Sequence, residues 1–339
     1  MVELANYFAL RDDLEIHLIL FGKNPTVFFP LEPKVNSYIP DSSFKKNIRF
    51  FGIVKRMGFI RRTIKEVKPD TILSFGTLWN RFVILSLLGT KYSIFISNRG
   101  NPANRLSYFQ ELLGKFLYQR ATGIIAQTDT AKSTYLKKKL NRNIQVIGNP
   151  IKYIQKNPET KKENIILTVG RLISTKHHDR LIQIFSRLNA FDWKLIIVGG
   201  NALKQNNFKS LISLIESMKL NERVILTGEI GTIFEYYLKS KIFAFTSSSE
   251  GFPNVVGEAL SAGLPVVSYD CVAGPSEMVT DGENGFLVPV FDDELFQKRL
   301  QSLIDDERLW KSMSEKAPGS IEKFSIEKIG RQYLDFILS

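Results

Sequence analysis

AFTSSSEGFPNVVGEALSAGLPVVSYDCVAGPSEMVTDGENGFLVPV, residues 244–290, decides the reading of the chain. Lys241 to Thr246 is an apolar run stopped by three serines, which predicts a strand. A polar loop, Glu250 to Asn254, precedes helical spacing from Val255 to Ala262, and Gly263 ends that helix ahead of a second strand, Leu264 to Ser268. Strand, loop, helix and strand in this order put the leading amides of a helix beyond the carboxyl end of a strand. An open parallel sheet binds ligands there, and phosphate is the natural guest. Glu250 on the loop and Glu258 one turn into the helix are both able to accept two hydroxyls, which suits a sugar and a ribose flanking a diphosphate.

Glu250, seven intervening residues and Glu258, followed by ALSAGLPVVSYD, GPSE and DGENGFLV, resemble the signature of the retaining glycosyltransferases of family 4, also called group 1 glycosyltransferases. The resemblance implies the GT-B fold, an α/β architecture of two Rossmann-like domains facing across a cleft. It extends to a second segment, the predicted strand Asn164 to Val169 and the turn from Gly170 to Lys176. There glycine permits the tight turn, and Arg171 and Lys176 set two cations beside a nucleotide diphosphate.

By this resemblance Glu250, Arg171 and Lys176 carry the catalysis. Gly170, Gly251, Phe252, Pro253, Asn254, Val255, Glu258, Thr227 and Gly228 hold the donor, Glu258 through its ribose and Thr227-Gly228 near its base. No metal and no cofactor is expected, because Asp-x-Asp is absent from the sequence and the two cations neutralise the diphosphate.

With 339 residues and 44% hydrophobic content the chain is long enough for two packed domains. No apolar run reaches the length of a membrane span, and no signal peptide is visible. The expected location is the cytoplasm, with peripheral attachment to the inner membrane. The single cysteine, Cys271, rules out an intrachain disulfide framework and reads as a packed residue.

The net charge of +12 is uneven. Residues 1–150 carry 23 Lys and Arg against 10 Asp and Glu, whereas residues 151–339 carry 23 against 24. The basic half therefore favours an anionic partner: a lipid headgroup surface, a diphosphate-linked substrate or nucleic acid. No nucleic-acid recognition motif accompanies it.

Residues 1–150 are expected to form the acceptor domain and 151–324 the nucleotide-sugar domain, with the final helix, 325–339, packing back on the first. Residues 151–163 read as the linker. The predicted order begins with a helix, Met1 to Leu10, and a strand, Leu14 to Phe21. Members of the family place another strand and a glycine-rich turn before that helix. The first domain is thus expected to lack its central strand, through a start upstream of Met1 or a truncation that impairs activity.

Phe44 to Val67 mixes aromatics with eight basic residues, consistent with a membrane-resting helix or with one packed on its own sheet. Arg99, at the end of the predicted strand Tyr92 to Ser97, is a candidate for acceptor phosphate or for an ordinary surface pair. Lys137 to Lys139 extend the basic surface. His177 and His178 are adjacent and read as surface residues, and His17 as a core residue.

Together these readings imply transfer of a hexose or N-acetylhexosamine from a nucleotide sugar, UDP-linked by preference, to a lipid-linked glycan of capsule, exopolysaccharide or O-antigen assembly. A truncated nucleotide-sugar-binding protein and a GT-B epimerase are the alternatives.

Overall fold

A computed structural model describes residues 1–20, 30–40, 49–104, 107–155, 160–202 and 205–339, without the side chains of 49–51. The chain forms two compact units, Met1–Pro150 with Ile326–Ser339, and Ile151–Ser325.

The first unit runs α1 (Val2–Ala9), β1 (Ile16–Ile19), β2 (Val35–Tyr38), α2 (Arg49–Val67), β3 (Thr71–Phe75), α3 (Thr77–Ser86), β4 (Ser93–Ser97), α4 (Tyr108–Tyr118), β5 (Gly123–Ala126), α5 (Asp129–Lys137) and β6 (Ile144–Val146). β3, β4, β5 and β6 lie side by side in that order, all parallel. Helices cover both faces, so β5 is a run of four buried residues without alternation. Ile60 and Ile64 of α2, Ile84 of α3, and Ile96 and Ile124 of the strands share one core.

Among the described residues β1 pairs with β2 alone, in a separate parallel sheet. Between the edges of β1 and β3 lies a cavity of about 620 Å³, lined by Ile16–Ile19 on one side, Thr71–Phe75 on the other, and by Leu4, Phe8 and Ile60. The cavity lies where the sequence leads one to expect a central strand. The Thr71 hydroxyl beside it is buried without a hydrogen-bond partner.

In the second unit β7 (Ile165–Val169), α6 (His178–Ser186), β8 (Lys194–Val198), α7 (Phe208–Ser217), β9 (Val224–Gly228), α8 (Phe234–Lys239), β10 (Ile242–Phe245), α9 (Asn254–Ser261), β11 (Val266–Tyr269), β12 (Gly285–Val288), α10 (Asp293–Asp305) and α11 (Glu307–Ser320) follow one another. The sheet is parallel, in the order β12-β11-β10-β7-β8-β9. Asp292 and Asp306 cap α10 and α11 by accepting from the amides of Leu295 and Leu309 at 3.0 and 2.9 Å. A last helix, α12 (Ile326–Ile337), belongs to the first unit, where Phe336 meets Phe95 edge to face.

α11 runs through Pro318 to Ser320, because the buried Met313 and Ala317 commit its face to packing. The basic segment 44–67 begins among residues outside the described ones, and its described part packs Ile60, Thr63 and Ile64 inward. That outcome matches a helix on its own sheet. Helix α4 and strand β2 go unannounced by the sequence reading.

Candidate functional site

From β7 the second sheet proceeds to β8 and β9 on one side, and from β10 to β11 and β12 on the other. The loops leaving β7 and β10 therefore diverge at a topological switch point, where the crevice of an open parallel sheet forms. These two loops carry Arg171 and Lys176, and Glu250. They are stitched together by the Ser248 amide, which donates to the Thr175 carbonyl at 2.9 Å, and by the Thr246 hydroxyl, which donates to the Lys176 carbonyl at 2.9 Å.

Lys176 Nζ and Glu250 Oε1 are 2.6 Å apart, and each side chain is only 14% exposed. The ammonium also lies 4.7 Å from the centre of the Phe245 ring. The lysine stem passes beside Gly170, where a Cβ would sit in contact at 3.4 Å from Lys176 Cε. Behind it, a Cβ on Gly199 would meet the Gly170 carbonyl oxygen at 1.9 Å, so the ends of β7 and β8 approach as closely as glycine permits. The Gly199 amide in turn donates to the Gly228 carbonyl at 3.0 Å, joining the end of β9, where Thr227 and Gly228 lie half-buried, to the same rim.

Arg171 is exposed, and among the described residues its guanidinium bonds to no side chain. Its carbonyl receives the imidazole of His178 at 3.3 Å. His178 is thus not a surface residue as expected: it is 4% exposed, and burial pushes its pKa down to about 4. His177, in the left-handed conformation at φ 50°, bonds through Nε2 to the Ser248 hydroxyl at 2.8 Å. Both histidines therefore hold the loop in shape.

Gly251, Phe252 and Pro253 are buried and Asn254 is exposed at the start of α9. Pro253 offers no side-chain acceptor at the N-cap. Of the leading amides, those of Asn254 and Val256 bond to the Phe252 and Pro253 carbonyls, and that of Val255 has no backbone acceptor among the described residues. The cradle of free amides is consequently narrower than the sequence suggests. Glu258, half-buried in α9, accepts from the Tyr237 hydroxyl at 2.9 Å. Tyr237 is fully buried, and burial with the adjacent carboxylate holds its pKa far above the ordinary range. No sequence signal marks it.

The GPSE turn supports the loop from outside, since a Cβ on Gly274 would lie 2.5 Å from Pro253 Cδ. Cys271 is buried beside it, its pKa pushed up to about 12 by desolvation, so the thiol is held in its inert form. In the first unit Arg99 is half-buried at the end of β4, donates to the Tyr333 hydroxyl of α12 at 3.2 Å, and stacks 4.7 Å from the Phe75 ring. Neighbouring Asn80 and Asn98 are buried and hydrogen-bonded to each other at 3.0 Å, and the Tyr118 hydroxyl donates to Asn98 at the same distance.

The arrangement offers the Lys176–Glu250 ion pair, the Arg171 guanidinium, which bonds to no side chain among the described residues, and the carboxylates of Glu250 on a loop and Glu258 in α9, a set able to hold a polyhydroxylated anion. Residues 151–319 match the family described as Glycosyl transferases group 1. Over 338 residues the chain is 32% identical to an uncharacterized glycosyltransferase of Haemophilus influenzae, covering 97% of this chain and 92% of that one. It is 29% identical to the amylovoran biosynthesis glycosyltransferase AmsD of Erwinia amylovora, over 91% of this chain and 87% of that one. A 177-residue stretch is 36% identical to an N-acetylgalactosaminyltransferase of Campylobacter jejuni named for a diphospho-undecaprenol-linked substrate, over 52% of this chain and 47% of that one. Among solved structures, Anabaena Alr3699/HepE in complex with UDP and glucose superposes with a TM-score of 0.81 at 18% identity, covering 100% of this chain and 94% of that one.

Proposed function

Because the chain belongs to the group 1 glycosyltransferases and has their GT-B fold, we propose that it transfers a hexose or N-acetylhexosamine from UDP to a lipid-linked glycan. The reaction would serve surface polysaccharide synthesis at the cytoplasmic face of the inner membrane, with retention of anomeric configuration. The names of the Erwinia and Campylobacter relatives support the polysaccharide and the lipid carrier, and the UDP and glucose bound by the Anabaena protein support the donor.

The observation that carries this reading is the Lys176–Glu250 pair at the switch point. An ammonium has three N–H donors, and one of them satisfies Glu250. The others face no fixed requirement and suit oxygens of a diphosphate, while the second Glu250 oxygen suits sugar hydroxyls. Loss of the diphosphate puts positive charge on the sugar and negative charge on the leaving group, so Lys176 and Arg171 act where charge develops. The bond from C1 to the diphosphate oxygen breaks, the acceptor oxygen bonds to C1 on the same face, and its proton passes to a diphosphate oxygen. Glu258, oriented by Tyr237, holds the ribose. In this scheme the cations of the chain do the work of a divalent metal, and Arg99 meets the acceptor.

Incubation of the chain with lipid-linked acceptors and a panel of radiolabelled UDP-sugars tests the proposal. Label entering the lipid fraction with one UDP released per sugar, lost in Glu250→Ala, is expected. Consumption of a UDP-sugar with no label in lipid would overturn it.

A further inference from the structure

Helix α4 turns its apolar side outward. At about 100° per residue, Tyr108, Phe109, Leu112, Leu113 and Phe116 fall within about 140° of the helix circumference. Their exposures are 83, 71, 55, 39 and 50%. Gly114, Leu117 and Tyr118, which are buried, lie on the opposite side and hold α4 to its sheet. Five large apolar side chains on one exposed face of an eleven-residue helix exceed the scattered surface leucines of a soluble monomer. The neighbouring helix α3, which packs against α4, also exposes Leu78 at 72%.

Cations frame this face. Lys115 lies on α4 itself, and Arg120 rests on the Phe116 ring at 3.5 Å. The end of α5 is attached next to it, through Lys138 bonded to Glu111 at 3.2 Å and Gln119 bonded to the Lys139 carbonyl at 3.2 Å. That brings Lys137 and Lys139 to the rim. The helix is held independently of any partner by a capping box, in which the Ser107 hydroxyl accepts from the Gln110 amide and the Gln110 side chain accepts from the Ser107 amide, each at 3.4 Å.

We propose that α4 is the membrane-docking element of this protein: Tyr108, Phe109, Leu112, Leu113 and Phe116 enter the headgroup boundary of an anionic bilayer, and the surrounding lysines meet its phosphates. A rigid helix with an aromatic-rich apolar face and a basic margin has the chemistry of an interfacial helix. A second copy of the chain fits less well, since an isologous contact through this face would bring the same cations together. The inference deepens the reading above, as a lipid-linked acceptor is met at a membrane, but its test requires binding and no turnover.

Flotation of the full chain with phosphatidylethanolamine–phosphatidylglycerol vesicles provides that test. Wild type is expected to float, and Leu112→Ser with Phe116→Ser to lower the partition coefficient about tenfold or more with its circular dichroism and melting temperature unchanged. Lys137→Glu with Lys139→Glu should weaken binding to these vesicles and not to phosphatidylcholine alone. Phe191→Ser, an exposed aromatic of the other unit, should change nothing. A Phe109→Trp variant should shift its emission to the blue on vesicle addition. Vesicle binding indifferent to the double serine variant would overturn the proposal, as would a lipid-free dimer that this variant dissolves. Binding retained without sugar transfer would leave it standing and count against the enzymatic reading alone.

Discussion

Lys176 Nζ stands 2.6 Å from Glu250 Oε1, joining the loops after β7 and β10 through two side chains that are 14% exposed. Removing one partner leaves the other charge with little water and no counter-ion. Lys176→Met is expected to destabilise the chain by about 1–3 kcal/mol, below the 3–5 kcal/mol of a fully buried pair because some solvent reaches the site. It should also cut transfer about 100-fold or more by removing charge from the leaving group. Urea titration measures the first effect and single-turnover transfer the second. Unchanged turnover in a folded Lys176→Met protein would remove the lysine from the chemistry.

Tyr237 reaches Glu258 at 2.9 Å from a fully buried position. Its hydroxyl orients the carboxylate proposed to hold the ribose, so its loss should weaken donor binding and spare the chemical step. Tyr237→Phe is expected to raise the Kd for UDP about 2- to 10-fold, the value of one hydrogen bond, with kcat nearly constant. A lower melting temperature with unaltered UDP affinity would reduce the tyrosine to a packing role.

Gly199 has no space for a side chain, its Cβ position falling 1.9 Å from the Gly170 carbonyl oxygen. Backbone cannot move aside as a flexible side chain does, so Gly199→Ala should displace the turn that seats Lys176. The expected cost is about 1–3 kcal/mol, accompanied by weaker donor binding. Gly231→Ala, with nothing within 4 Å, serves as the control and should leave both unchanged.

The sequence was most informative where the backbone pattern and the chemistry coincide. Residues 244–290 read as strand, loop, helix and strand, and they fold so, with β11 at Val266–Tyr269 shifted slightly from Leu264–Ser268. Lys176 and Glu250 were both legible as charges, yet nothing local says that they pair, since 74 positions separate them. His178 was misread because a histidine beside a basic loop looks solvated; only the packing of α6 shows that its ring supports the Arg171 carbonyl from inside. Helix α4 was silent for a different reason. Apolar residues occur on nearly every side of it, so periodicity cannot tell the buried face from the exposed one.

The separation of β1 from β3 sets a further expectation. β3 bonds to β4 on one side and, among the described residues, to no strand on the other, where the cavity lies. Amides of Thr71–Phe75 that point away from β4 should exchange hydrogen faster than those that point toward it. The first unit should also unfold at lower urea than the second, whose β7 is bonded on both edges. Hydrogen exchange read by mass spectrometry along a urea series resolves both, and equal protection of the two strand edges would show the gap to be energetically silent.

His178 makes stability depend on pH in a predictable direction. Its imidazole is depressed from 6.5 to about 4 by burial, and it faces the Arg171 carbonyl through Nε2, with Lys176 disfavouring and Asp179 favouring its charged form. Below pH 6.5 the unfolded chain takes up a proton that the folded chain refuses until near pH 4. The unfolded state therefore binds more protons in that interval, and stability falls as the pH falls through it. Between pH 7.5 and pH 5 the loss is about 2 kcal/mol, and below pH 4 the contribution levels off. Urea midpoints at pH 7.5 and pH 5 measure the difference, and His178→Gln, which cannot be protonated, should flatten it. The same slope in the variant would assign the pH dependence to other groups and leave His178 a purely steric support for the turn.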